Sequence, residues 1–101
     1  MIKLKVSVVR RFSPEEVFGQ ERKMPSGKVI SACSSFEDGQ EFLVEELKKP
    51  EGFCTWAWHD IYKDVSTLAF GAGKDWIEPK IYVCCTDGMR PVVFTIEKIE
   101  S

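Results

Sequence analysis

The sequence predicts an α+β fold in a single domain over residues 1–101: a small antiparallel or mixed sheet, flat or curled into a half-barrel, with one main helix packed on a face and a C-terminal β-hairpin. Three observations predict it. Residues 2–9 alternate apolar and polar side chains, as a strand with one buried face does. Residues 55–70 place apolar side chains at helical spacing. Residues 80–99 form two alternating runs around Asp87-Gly88, a pair that tight hairpin turns prefer.

The elements follow in order. Ile2, Leu4, Val6 and Val8 share one face of the first strand, Lys3, Lys5 and Ser7 the other, and the strand ends at Arg10-Arg11. Ser13 is a helix cap, Pro14 suits the first helical position, and Glu16 completes a capping box. Phe12 and Val17 sit where a hydrophobic staple would, and Gly19 limits this helix to one or two turns. Pro25-Ser26-Gly27 marks a turn, making a short hairpin with Lys28 to Ala32, and Asp38-Gly39 marks another. Glu41 to Glu45 fits a strand with Phe42 and Val44 inward. The following Glu-Glu-Leu-Lys-Lys favours helix, but Gly39 before and Pro50 after decide for strand.

The long helix starts with Thr55 as N-cap. Ala57, Ile61, Val65 and Leu68 line one face, Trp58 and Tyr62 widen it, and His59, Lys63 and Ser66 lie outside. Gly71 ends it. The loop Gly71-Ala72-Gly73-Lys74-Asp75 fails as a phosphate loop, because the first required glycine falls on Leu68 and Asp75 replaces the Ser or Thr. Trp56 and Trp76 flank the helix, and partial exposure there would suit an interface or ligand pocket. In the final hairpin a two-residue turn sets Val83 opposite Val92 and Ile81 opposite Phe94. One face then carries Ile81, Val83, Cys85, Val92, Phe94 and Ile96, and Cys84 turns to the other.

A net charge of −2, with Arg10-Arg11 the one local basic spot, argues against nucleic acid as partner. No apolar run approaches the ~20 residues of a membrane span, and the N-terminal segment lacks the apolar core of a signal peptide. The expected location is the cytoplasm, where cysteines stay reduced as free thiols or ligands.

The candidate chemistry rests on Cys33, Cys54, Cys84 and Cys85, with His59 as a further ligand. Thiolates and imidazole suit zinc or an iron–sulfur cluster. There is no C-x-x-C knuckle, and strand alternation prevents Cys84 and Cys85 from aiming at one ion, so the favoured set is Cys33, Cys54 and Cys85. His59 falls opposite the apolar stripe. The competing reading is that these cysteines are small buried apolar residues. His59-Asp60 is also a candidate acid–base pair, though no nucleophile is anchored beside it.

The run Gly52-Phe53-Cys54-Thr55-Trp56-Ala57-Trp58-His59-Asp60-Ile61, with Cys84-Cys85-Thr86-Asp87-Gly88-Met89-Arg90-Pro91-Val92, resembles a family of small uncharacterised prokaryotic proteins, often from anaerobes. The likeness covers nearly the whole chain, including Phe36 to Phe42. This chain has Ser34 where the family often has proline after its first cysteine. The resemblance implies a prokaryotic cytoplasmic domain and supplies no catalytic residues. Three functions are then in play. The leading one is a non-enzymatic binding or interaction module, as a homodimer or with another protein. The second is a cysteine-ligated metal or iron–sulfur accessory protein. The third is a small enzyme using a thiol or His59.

Overall fold

The computed structural model describes residues 3–70 and 80–100. Along them run strand β1 (Lys3–Arg11), helix α1 (Pro14–Phe18), strand β2 (Glu41–Glu45), helix α2 (Thr55–Phe70), and strands β3 (Lys80–Cys84) and β4 (Val92–Glu100). The strands form one open sheet in the order β2-β1-β4-β3, antiparallel throughout, with β3 and β4 as the expected hairpin. The expectations at Ile2, Trp76 and the loop from Gly71 to Asp75 lie outside the described residues.

In β1, Leu4, Val6 and Val8 are fully buried, as the alternation requires. The strand ends at Arg10-Arg11 as expected, but its alternation breaks before that. Val8 pairs with Phe94 and Arg10 with Val93, so Val9 is an extra residue absorbed as a β-bulge. The bulge lets β1 run two residues further. It also sets Arg11 opposite Val92, whose side chain lies in the core, so Arg11 emerges at the rim of the inner face.

The short helix forms as its sequence dictates. The Ser13 hydroxyl accepts from the Glu16 N–H, and the Glu16 carboxylate accepts from the Ser13 N–H at 3.0 Å. Gly19 ends it at φ 81°, a conformation that any side chain would strain. The Pro25 turn closes a minimal hairpin with a single bridge, Lys23 to Val29.

Helix α2 covers the inner face of the sheet. Ala57, Ile61, Val65 and Leu68 are buried as expected, joined by Trp58 and Ala69. Tyr62 is 40% exposed and does not extend the core stripe. Thr55 is not the cap. The Cys54 carbonyl accepts from the Trp58 N–H at 2.9 Å, so Cys54 holds the cap position and Thr55 is the first helical residue. Phe53 just before it packs edge-to-face on Trp58, with ring centroids 5.9 Å apart. That is a hydrophobic staple, and it fixes the angle at which the chain turns into the helix. At the far end the Lys98 ammonium donates to the Ala69 carbonyl at 3.2 Å, where a cation complements the helix dipole.

Phe36, Phe42, Phe53 and Phe94 meet as an aromatic cluster beneath the start of α2. The Phe36 ring stands edge-on to Phe53 and Phe94, with centroids 5.0 and 5.1 Å away. Each such pair contributes about 0.5–1.5 kcal/mol beyond simple burial.

The hairpin keeps its expected faces but shifts its register by two residues. Val83 pairs with Phe94 and Ile81 with Ile96, not with Val92 and Phe94. The last rung joins the Cys85 N–H to the Val92 carbonyl at 3.1 Å, so the loop spans residues 86–91. Two features open the turn. Asp87 does not sit in a tight turn; its carboxylate accepts from the Met89 N–H at 3.1 Å and the Arg90 N–H at 3.3 Å. Pro91 has no N–H for a ladder bond, and its carbonyl instead accepts from the Phe12 N–H. An even shift preserves parity, so Cys85 still turns toward the core and Cys84 still faces solvent.

Candidate functional site

A cavity of about 210 Å³ opens at the N-terminal end of α2, between the Cys33 loop and the β3–β4 loop. Cys33, Cys54 and Cys85 all line it. Alternation in the last hairpin turned Cys85 rather than Cys84 inward, and here it meets Cys33 and Cys54 from segments distant in sequence. Phe36, Ala57 and Val92 form the apolar wall; Ser35, Trp56, Asp87 and Arg90 supply the rest.

Each thiol is placed by a separate device. Cys33 lies in an irregular loop that Arg11 ties down. The Arg11 Nη1 donates to the Cys33 carbonyl at 3.0 Å, while its backbone N–H and Nε both reach Asp38 Oδ1. These bonds hold the Asp38 carboxyl below the usual range, the backbone N–H first and then the guanidinium. The bulge at Val9 is what brings Arg11 to that side. Cys54 caps α2. Cys85 ends the hairpin ladder, and its Sγ accepts from the Val92 N–H at 3.3 Å.

The mouth is held by a polar link between α2 and the β3–β4 loop. Asp60 accepts from the Thr86 N–H at 2.9 Å and from the Thr86 hydroxyl at 3.0 Å. The Trp56 indole N–H donates to the same hydroxyl at 3.1 Å. Trp56 stays 66% exposed, the partly exposed aromatic that the sequence suggested. Arg90 packs its Nε against Asp87 at 3.4 Å, and among the described residues its two terminal nitrogens have no acceptor.

Cys84 and His59 stand apart. Cys84 is exposed and does not line the cavity. Its thiol is pushed up by partial desolvation, then by Cys85 and Asp60, which favours the protonated form. His59 is exposed in a shallow groove with Trp58, Tyr62 and Lys63, on the outside of α2. Its neighbour Asp60 accepts from Thr86 instead. Among the described residues, no three His, Cys, Asp or Glu side chains are grouped to hold a metal ion. Ligation by Cys33, Cys54 and Cys85 would first have to draw the thiols together.

Arg90 and Arg11 are the site residues that sequence reasoning missed. Arg90 left a signal, a cation in the turn next to Cys85. Arg11 left none, because its direction depends on the bulge. No family model, no curated protein and no solved structure matches the chain.

Proposed function

We propose that this protein is a small binding module, without catalytic activity, whose ligand occupies the thiol-lined cavity at the start of α2. The observation that carries this reading is convergence: three of the four cysteines meet at a single cavity from separate segments, with the Arg90 guanidinium on the same loop as Cys85. An engineered cavity of ~150 Å³ holds benzene, so about 210 Å³ suits a ligand built on one ring. Apolar walls with a few placed polar groups are the usual make-up of such sites. The terminal nitrogens of Arg90 favour a ligand with an anionic end. The chain resembles small proteins of anaerobic prokaryotes, which favours a cytoplasmic location. Among the described residues no helix is long and apolar enough to cross a membrane.

The test is a titration of isotope-labelled protein with phenylacetate, followed by NMR. The expected result is a set of shifts confined to Ala57, Cys85, Arg90 and Val92. Neutral phenylacetamide, or the Arg90→Met variant, should bind roughly tenfold more weakly, the usual scale of a charge-assisted bond. Shifts scattered over other surfaces, or none, would count against the reading.

A second reading is favoured by the thiols themselves: Cys33, Cys54 and Cys85 as ligands of zinc or an iron–sulfur cluster. The N–H donated by Val92 to Cys85 Sγ is the type of bond that tunes cluster sulfurs. Elemental analysis and a visible spectrum of anaerobically purified protein decide it. Metal that is lost in Cys54→Ser but retained in Cys84→Ser would support this reading over the first.

A further inference from the structure

The sheet has two edges, and they differ in chemistry. Among the described residues no chain lies beyond β2 on one side or β3 on the other. The direction of the free backbone groups follows from the ladder. The Cys85 N–H bonds to the Val92 carbonyl, so Cys85, Val83 and Ile81 spend their backbone groups on β4. Lys80, Tyr82 and Cys84 therefore turn theirs outward. On the other side the Val8 N–H bonds to the Gln40 carbonyl, so Phe42 and Val44 face β1 while Glu41, Leu43 and Glu45 present theirs outward.

We propose that β3 is a self-association edge whose partner is β3 of a second copy of this chain. The pairing is antiparallel and centred on Tyr82. Each Tyr82 N–H donates to the other copy's Tyr82 carbonyl, and Lys80 lies opposite the second copy's Cys84. No like charges oppose one another, because the only charge in β3 is at its first residue. Tyr82 is 69% exposed, and its ring meets its symmetry mate on the outer face of the joined sheet. Aromatic cross-strand pairs are among the favourable ones. Ile81 and Val83, partly buried at the edge of the core, meet across the join on the inner face.

The same operation on β2 is repelled. Centred on Leu43, it sets Glu41 against Glu45 twice over. Pairing β2 with β3 of another copy leaves a free edge at each end and grows without closing. Of the two closed arrangements only β3–β3 escapes that repulsion, and it leaves an acidic β2 at both ends of an eight-stranded sheet.

The experiment is sedimentation equilibrium of the full chain from micromolar to millimolar concentration, with amide hydrogen exchange alongside. Wild-type protein should show a monomer–dimer equilibrium, and the Tyr82 amide should gain protection as concentration rises. Tyr82→Pro removes an N–H that makes no bond among the described residues of one chain, so it should weaken the dimer roughly tenfold or more. Leu43→Pro makes the matching change on the acidic edge and should leave the dimer intact. A wild-type protein that stays monomeric throughout overturns the proposal. So does a dimer lost equally in Leu43→Pro, or one whose Tyr82 amide exchanges freely. Should Tyr82→Pro fail to fold, the amide exchange of the wild type decides alone.

Discussion

On its inner face the sheet carries Leu4, Val6, Val8, Val44, Val92, Phe94 and Ile96, all fully buried under α2 and the phenylalanine cluster. One residue along the same strands, the outer face carries Lys5, Ser7, Leu43, Tyr82 and Glu97. There Lys5 lies 3.6 Å from Glu41 and 3.9 Å from Glu97, a cation shared between two carboxylates on neighbouring strands. All three side chains are at least a third exposed, so water screens these pairs. The inner face holds the molecule together through displaced water and close packing. The outer face contributes solubility of charge and register. Cys84 and Cys85 show the division within one dipeptide: adjacent in sequence, one thiol is in solvent and the other lines the cavity.

This contrast can be broken most forcefully at Phe94. Phe94→Ala removes a fully buried ring from the centre of the cluster and should cost about 3–5 kcal/mol in urea unfolding. Phe36, which packs on Phe94 and lines the cavity, should lose its support, and phenylacetate binding should weaken with it. A smaller effect is expected at the polar link over the mouth. Asp60→Ala removes the acceptor for Thr86 and should cost about 1 kcal/mol. Its main signature should be faster exchange of the Thr86 amide, with the core amides unchanged. Acid sharpens the comparison through Asp38. Its pKa is lower in the folded chain than in the unfolded one. The Arg11–Asp38 contact is therefore stabilising at neutral pH and is lost as pH falls below about 4. NMR shifts of Arg11 and Cys33 should follow that titration while Leu4 and Ile96 stay still. Smallest of all, Lys5→Ala on the outer face should change stability by less than about 0.5 kcal/mol, within the error of most unfolding curves.

Much of this division was legible in the sequence. Alternation in residues 3–8 and the stripe from Ala57 to Leu68 gave both strand face and helix face, because burial of apolar area dominates at those positions. The capping box at Ser13 was legible because it is local. So were the inward turn of Cys85 and the outward turn of Cys84, since parity along the last hairpin survives an even shift in register. What escaped was decided by contacts between distant segments. The Asp87-Gly88 pair looked like a two-residue turn, but Asp60 holds Thr86 and Phe12 holds Pro91, and together they widen the loop. Thr55 looked like a cap because of its hydroxyl, yet the staple of Phe53 on Trp58 sets the first turn one residue earlier. No local pattern announces a bulge, so the role of Arg11 was invisible.

That bulge makes one residue of β1 a matter of arithmetic. Strand residues are counted in twos, and Val9 is the odd one in the count. Were it paired, Arg10 would fall opposite Val92 and Arg11 opposite Pro91, sending the wrong guanidinium toward the thiols. Deleting Val9 outright would restore an even count and leave Arg11 where it stands. The chain should therefore tolerate losing this residue better than losing any other in the strand, a frame correction written into nine amino acids.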